Sequence, residues 1–390
     1  MTAPASRVDV GPRLDAVLRA AVDDGSVPNV VAVAADRDGV IYDGAAGPLA
    51  VGSPDPVDGA SIFRIASMTK TVCTVAALQQ RERGNLDLDA PVEAYCPGFA
   101  AVRVLDGFDG DEPRLRPPAT RATVRQLLTH TAGLAYGFWN ADLARWNATA
   151  GTGDALAAPM VSDPGTRFEY GLSTDWLGVV VEAVSGQSLA DYLAEHVFGP
   201  LGMTATTFLV ADERRGRCVP VHVRDDAGSW VATGIDWSRR PERWAGGHGL
   251  YSTPRDFLRF QRMLLGGGTL TGTTVLHEAS VKEAFSDQLG GLRVPALMRT
   301  TDPAWSCDVA LAPGTTWGWG LALDTSPEPG LRAAGSGGWQ GIFNTRFWVD
   351  PHTGVTGAVH TQCLPFCAPP VLRLYEDVER TLYAGLSGRA

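Results

Sequence analysis

A serine and a lysine three residues apart are the side chains of this sequence best suited to chemistry. The chain has two lysines, Lys70 and Lys282, whereas 31 of its 33 basic residues are arginines. Lys70 follows Ser67 in the only Ser-x-x-Lys of the sequence. Arginine stays protonated in proteins, but a desolvated lysine amine loses its proton and can act as a base. The pair therefore predicts a serine nucleophile activated by a neutral lysine.

The sequence around the pair predicts that both residues lie in the first turn of a helix. Residues 67–83 are rich in alanine and leucine at helical spacing, and Gly84 and Asn85 are typical of a helix end. Positions i and i+3 of a helix lie within side-chain reach. The unpaired N–H groups and partial positive charge of a helix start stabilise a developing oxyanion. Taken alone, the same residues also fit a capping serine and a solvated lysine.

Several segments, in order along the chain, resemble motifs of one enzyme family. Residues 63–70 (FRIASMTK) are similar to the first motif of serine β-lactamases, penicillin-binding proteins and the esterases related to class C β-lactamases. Residues 84–92 (GNLDLDAPV), 127–134 (LLTHTAGL) and 246–253 (GGHGLYST) resemble further segments of that family. The resemblance extends over residues 28–385. So many ordered matches are far more specific than one motif.

The resemblance implies roles for three aromatic residues. Tyr170, within residues 168–173 (FEYGLS), matches the family's acid/base tyrosine and would relay the Ser67 proton to the leaving group. Tyr136 lies where related esterases place a second tyrosine, so we expect it in the substrate site. His130 belongs to the same motif as residues 127–134, but we expect it to be structural because the lysine already supplies the base.

Two departures from the lactamase pattern favour neutral esters as substrates. Leu172 stands where lactamases carry the asparagine of Tyr-x-Asn, and Trp339 stands where they carry the lysine of Lys-Thr-Gly. The substitutions remove an amide and a cation, and they add an apolar wall. The Trp-x-Gly form, completed by Gly341, resembles family VIII carboxylesterases, and we expect all three residues in the substrate site. By the same resemblance the N–H groups of Ser67 and Ile342 would form an oxyanion hole.

Composition and charge argue against several other classes of function. Hydrophobic residues make up 45% and charged residues 19% of the chain, as in soluble globular proteins. The formal net charge of −10 disfavours nucleic acids and anionic membranes as partners. Neither a signal peptide in residues 1–10 nor an apolar span is evident, so we expect a cytoplasmic protein. Scattered cysteines and histidines give no metal-ligand spacing, and we expect no metal or other cofactor.

The order of the predicted elements indicates an α/β (α+β), β-lactamase-like fold. Helical patterns cover residues 14–22, 67–83, 124–128, 174–184, 189–197 and 370–383. Strand patterns cover residues 30–36, 40–43, 315–324, 342–349 and 353–362. Because strands far apart in sequence must pair to cover their edges, we expect an antiparallel sheet flanked by helices and formed by residues 1–85 and 286–390. Residues 86–285 would be an inserted, mainly helical domain, with the active site in the cleft between the two.

These features predict a serine hydrolase that cleaves carboxylic esters of small, neutral, hydrophobic acyl groups through an acyl-enzyme on Ser67. An acyltransferase to an alcohol, an amidase, a β-lactamase or a DD-peptidase would use the same site. A non-catalytic binding protein is the most distant alternative, because a binder does not need a low-pKa lysine. The expected partner is a small-molecule ester, and the sequence leaves a homo-oligomer open.

Overall fold

The computed structural model describes residues 10–149, 153–237, 241–326 and 328–386. Of residues 1–10, in which no signal peptide is evident, all but Val10 lie outside the described residues. The helices are α1 (Gly11–Asp23), α2 (Thr69–Glu82), α3 (Val124–Leu128), α4 (Ala141–Thr149), α5 (Ser173–Ser185), α6 (Leu189–Leu193), α7 (Gly199–Leu201), α8 (Pro254–Leu265), α9 (Glu278–Ala284) and α10 (Pro369–Leu386). The strands are β1 (Val30–Asp36), β2 (Val40–Ala46), β3 (Phe63–Arg64), β4 (Val104–Asp109), β5 (Glu112–Arg116), β6 (His222–Arg224), β7 (Trp230–Ala232), β8 (Tyr251–Ser252), β9 (Thr269–Leu270), β10 (Thr273–Thr274), β11 (Leu297–Met298), β12 (Val309–Ala310), β13 (Thr316–Trp317), β14 (Ala322–Leu323), β15 (Gly337–Gly341), β16 (Thr345–Asp350) and β17 (Val355–His360).

A seven-stranded antiparallel sheet joins the two ends of the chain. Its strand order is β13-β14-β15-β16-β17-β1-β2. Strand β1 pairs with β17 from Val31 opposite His360 to Asp36 opposite Val355. The hairpin of β1 and β2 thus extends the sheet that the C-terminal strands form. This arrangement confirms the predicted antiparallel sheet built from both ends of the chain.

Alternating side chains of β1 divide the core into two layers. The strand reads VVAVAAD and is buried throughout. Val30, Ala32 and Ala34 belong to an apolar cluster with α1 and α10. Val31 and every second residue after it belong to a larger cluster with α2 and α8. Because successive strand side chains point to opposite faces, a sheet covered by helices on both faces needs this uninterrupted apolar strand.

The chain between the two parts of the sheet contains helices α2 to α9 and several short two-stranded hairpins, joined by long loops. Helix α5 packs against α2 and α3. Helix α8 lies inside the range 86–285 that the sequence assigns to an inserted domain, yet it packs against β1, β16 and β17. The division of the chain at residues 85 and 285 stays a prediction. Within the described ranges, no helix has both the length and the apolar character that crossing a bilayer requires.

Several element boundaries differ from the sequence-based predictions, and three of these differences concern elements around the site. The helix predicted over residues 67–83 begins at Thr69, and a 3₁₀ turn, Ala66–Met68, precedes it. The single strand predicted over residues 315–324 is split into β13 and β14, because the chain turns back at Gly318, whose N–H bonds to the Leu321 carbonyl. The strand predicted from residue 342 begins at Thr345, and the glycine-rich residues before it form β15.

Candidate active site

Ser67 lies in the 3₁₀ turn between β3 and α2. The residue before the turn, Ile65, donates its N–H to the Leu250 carbonyl at 3.1 Å, and its own carbonyl accepts the Thr345 hydroxyl at 3.4 Å. Ala66 adopts a φ of +44°, a left-handed conformation that costs a non-glycine residue about 1–2 kcal/mol. The turn is therefore held from both sides, and it presents Ser67 to a cavity.

Lys70 lies directly beneath Ser67 and is only 1% exposed. Its Nζ is 3.2 Å from Ser67 Oγ, 2.9 Å from Tyr136 Oη and 2.7 Å from the Gly247 carbonyl oxygen. Burial lowers the pKa of Lys70 to about 8, although the nearby charge of Asp175 opposes this shift. A substantial fraction of the amine is therefore neutral near physiological pH and can accept the serine proton.

Two tyrosines flank the Lys70 amine at the same distance. Nζ lies 4.9 Å from the ring centroids of both Tyr136 and Tyr170. Tyr170 Oη accepts the Trp339 Nε1–H at 2.7 Å. Burial raises the pKa of both phenols, and hydrogen bonds with Ser67 and Trp339 partly oppose the shift for Tyr170. Both hydroxyls are therefore protonated at neutral pH, and each can donate a proton or pass one on.

Strand β15 forms the wall on the far side of Tyr170. Trp339 packs edge-on against Trp317, with 4.7 Å between ring centroids. Gly341 lies so close to the turn that a Cβ atom there would sit 2.4 Å from the Ile65 carbonyl oxygen. Ile342 and Ser67 line the same cavity. The structure thus brings the two residues of the predicted oxyanion hole to one place, and their role as donors stays a prediction.

The inner cavity, with a volume of about 180 Å³, opens at Ser67. Most of its wall is aromatic: Tyr136, Phe138, Trp139, Tyr170, Trp237, Trp305, Trp339 and Phe366. Ala66, Met298, Val309 and Ile342 add apolar surface, and Gln340 and His248 are its other polar side chains. Such a wall favours neutral, hydrophobic groups, and the described residues that line it include no lysine or arginine that could bind a carboxylate.

A second cavity adjoins the inner one and is larger. This outer cavity, of about 880 Å³, shares Tyr136, Phe138, His248 and Trp305 with the inner cavity. Leu172, predicted for the substrate site, lines the outer cavity and not the inner one. Its other lining residues include polar ones, Asn147, Asp154, Thr301 and Asp302. The Ser67 nucleophile is therefore next to a small apolar space that leads to a larger and more polar one.

His130, predicted to be structural, lies in an aromatic cluster behind Tyr170. Its ring centroid is 4.7 Å from that of Tyr170 and 5.2 Å from that of Trp317. Burial lowers the pKa of His130 well below its usual value, so the ring is neutral. Its backbone carbonyl accepts the Glu169 N–H at 2.7 Å. His130 therefore supports the position of the tyrosine.

The sequence reasoning missed two residues near Lys70, Asp175 and His248. Asp175 is buried in the first turn of α5, and its Oδ1 accepts the Gly247 N–H at 3.0 Å. His248 lines both cavities, and its Nδ1 lies 3.6 Å from Asp175 Oδ1. Residues 246–253 resemble a family motif, but the resemblance implies no role for any of them. Among the residues that the structure describes, no group of three or more histidine, cysteine or acidic side chains could hold a metal ion.

Comparison with known proteins agrees with this architecture. Residues 14–378 match the family model described as Beta-lactamase. The chain belongs to the β-lactamase family. The match covers nearly all of the described structure, and it confirms the predicted β-lactamase-like fold.

Relatives within the β-lactamase family include esterases and acyltransferases. Lovastatin esterase of Penicillium rubens is 33% identical over 295 residues, which cover 71% of this chain and 73% of that protein. Monacolin J acid methylbutanoyltransferase of Aspergillus terreus is 29% identical, with 95% of each chain covered. The structure of a mutant simvastatin synthase from Aspergillus terreus superposes with a TM-score of 0.86 at 28% identity, covering 97% of this chain and 96% of that one. The protein is therefore an enzyme of the serine hydrolase and acyltransferase group with this fold.

Proposed function

We propose that the enzyme is a carboxylesterase that hydrolyses esters of small, neutral, hydrophobic acyl groups through an acyl-enzyme on Ser67. One observation carries the proposal: a buried amine with a pKa near 8 lies 3.2 Å from the hydroxyl of a serine that opens into an apolar cavity. A solvated lysine or a capping serine would show neither the burial nor the lowered pKa. The substrate is then a small-molecule ester, as expected from the sequence.

Acylation begins when Ser67 Oγ attacks the ester carbonyl carbon while its proton moves to Lys70 Nζ. The N–H groups of Ser67 and Ile342 would receive the developing oxyanion. When the bond to the alcohol breaks, Tyr170 hands a proton to the leaving oxygen and Lys70 restores the Tyr170 proton. The two groups return to their starting protonation states, and the acyl group stays on Ser67.

The walls of the site support a preference for neutral acyl groups. The inner cavity holds only a small acyl chain, and Trp339 occupies the position at which lactamases carry a lysine. The Trp339 ring hydrogen-bonds Tyr170, so it forms part of the wall rather than a partner for a substrate carboxylate. Leu172 likewise provides no amide toward the outer cavity. Both features disfavour β-lactams and peptides that end in a carboxylate.

Acyl transfer to an alcohol is the second candidate function. The outer cavity favours it, because about 880 Å³ next to the acylated serine provides room for a bulky alcohol. The methylbutanoyltransferase of Aspergillus terreus, similar over 95% of the chain, points in the same direction. Hydrolysis and transfer differ only in whether water or the alcohol reaches the acyl-enzyme first. The oligomeric state stays open, and the cytoplasmic location stays a prediction.

The decisive test is the variant Ser67→Ala with p-nitrophenyl butyrate as substrate. We expect activity to fall by about 10³-fold or more, since the nucleophile is lost. Labelling with a fluorophosphonate should modify Ser67 in the native enzyme, as read by peptide mass spectrometry, and should modify nothing in the variant. An unchanged thermal unfolding midpoint would show that the variant is folded. Retained activity, or a label on another residue, would refute the assignment.

A further inference from the structure

His248 and Asp175 form a second acid–base pair next to Lys70. The imidazole Nδ1 is 3.6 Å from Asp175 Oδ1, and the same oxygen accepts the Gly247 N–H at 3.0 Å. The Gly247 carbonyl in turn accepts Lys70 Nζ at 2.7 Å. The backbone of Gly247 therefore fixes the positions of both the Asp175 carboxylate and the Lys70 amine. The pair is therefore part of the active site, but the proposed acylation steps assign no role to either residue.

His248 lies at the junction of the cavities. Its side chain lines the inner cavity, the outer cavity and a third space of about 220 Å³ beside Trp237. The Trp237 ring packs edge-on against the imidazole, with 5.4 Å between centroids. Among the described residues, no protein group hydrogen-bonds to Nε2 of His248. With Nδ1 facing Asp175, Nε2 is the ring atom available to a molecule in these spaces.

The outer cavity gives an incoming molecule access to His248 before it reaches Lys70. Its lining includes His248 and Tyr136 but neither Ser67 nor Lys70. Lys70 is 1% exposed and already bonds to three groups. The His248 side chain is 41% exposed, and desolvation of its ring lowers its pKa while Asp175 opposes the shift, so the ring is neutral and able to accept a proton near pH 7. A hydroxyl that arrives through the outer cavity therefore meets a base other than the lysine.

We infer that His248 is a catalytic residue of the second half-reaction: it binds the acceptor hydroxyl, of water or of an alcohol, and takes its proton. Asp175, whose Oδ1 lies 3.6 Å from Nδ1, is a positioning residue whose charge orients the imidazole and stabilises the imidazolium that forms. The inference rests on the proposed acyl-enzyme, and it assigns the two half-reactions to different bases. Lys70 serves the attack of the serine, and His248 serves the attack on the acyl-serine.

The protons and bonds of this step balance. The acceptor O–H bond breaks, its proton goes to Nε2 of His248, and the acceptor oxygen bonds to the acyl carbon. The tetrahedral intermediate then breaks the bond between the acyl carbon and Ser67 Oγ. Oγ takes the proton of the Tyr170 hydroxyl, with which it hydrogen-bonds, and the imidazolium of His248 returns a proton to Tyr170 across the inner cavity that both residues line. In total one proton moves from the acceptor to Ser67, and the acyl group moves from Ser67 to the acceptor.

The test is His248→Gln, which keeps a hydrogen-bonding side chain but cannot act as a base. Rapid mixing with p-nitrophenyl butyrate should show a stoichiometric burst of p-nitrophenol at the native rate, within about twofold, followed by turnover that is slower by about 10²-fold. Intact-protein mass spectrometry should detect the accumulated butyryl-enzyme. The matched control is His277→Gln, a histidine before α9, which should behave as the native enzyme.

Chemical rescue by imidazole distinguishes the loss of a catalytic group from damage to the structure of the site. In His248→Ala, added imidazole should restore breakdown of the isolated butyryl-enzyme several-fold, because it can occupy the vacated space and accept the proton. Native turnover in His248→Gln, or a burst slowed as much as the turnover, would overturn the inference while leaving Ser67 as the nucleophile. If the native enzyme formed no butyryl-Ser67 at all, the proposed function itself would fail, and the inference with it.

Discussion

The two lysines of the chain occupy opposite environments on two helices. Lys70, at the start of α2, is 1% exposed and contacts hydroxyls and a carbonyl. Lys282, in α9, has a side chain that is 74% exposed, and it pairs with Glu278 one turn earlier at 2.8 Å. Both side chains end in the same amine, so any difference in their reactivity must come from solvent exposure and from the neighbouring groups. An amine becomes a base where burial opposes its charge and no carboxylate bonds to it directly.

The largest effect should come from replacing the buried amine by a group that cannot lose its proton. In Lys70→Arg, kcat/KM for p-nitrophenyl butyrate should fall by about 10³-fold, because the guanidinium keeps its charge. The matched control, Lys282→Arg, should change it by less than about twofold. Steady-state kinetics of both variants provide the comparison. Equal effects of the two substitutions would show that the buried Lys70 amine is no more important for catalysis than the exposed Lys282 amine.

The next effect concerns the two tyrosines beside the amine. Tyr170→Phe should lower kcat by about 10²-fold, since it removes the proton relay to the leaving group. Tyr136→Phe should lower it by about tenfold, because it removes one hydrogen bond to Lys70 and leaves the relay intact. The difference should shrink with esters of more acidic alcohols, which need no proton to leave. If Tyr136→Phe were the more damaging change, the assigned roles of the two tyrosines would have to be exchanged.

The smallest effect, about tenfold per pH unit, comes from titrating Lys70 itself. The pKa of the amine is lowered to about 8, and its neutral form is the base. The rate of the first turnover should therefore fall tenfold for each pH unit below 8 and level off above it. Stopped-flow measurements between pH 6 and 10 would define the curve. A rate that stays flat down to pH 6 would mean that Lys70 does not need to be neutral.

The local part of the site could be predicted from the sequence, because spacing alone determines it. Ser67 and Lys70 are three residues apart, and both a helix and a 3₁₀ turn place such residues on one side. The two central strands could also be predicted, since β1 (VVAVAAD) is rich in valine and alanine and three of the six residues of β17 (VTGAVH) are β-branched. The matching of Tyr170 and Trp339 depended on the family resemblance, and the structure then places their side chains in contact.

The remaining features depend on long-range packing that no local pattern reports. Strand β15 is glycine-rich, and a Cβ atom on Gly338 would lie 2.3 Å from the Phe347 carbonyl oxygen of the neighbouring strand. Because glycine is uncommon in strands, these residues give no strand pattern in the sequence, yet their lack of a side chain allows β15 to pair closely with β16. Asp175 and His248 are likewise 73 positions apart, and only the packing of α5 against the loop before β8 brings them together.

The left-handed backbone of Ala66 also matters for redesign. Glycine would relax this conformation, and the methyl group it would remove packs with Val221, Phe343 and Leu364 in a buried cluster beside the inner cavity. At most positions, enlarging a binding pocket sacrifices stability, but here torsional relief offsets part of the packing that is lost. Ala66→Gly should therefore cost little stability as a first substitution in laboratory evolution toward bulkier acyl chains.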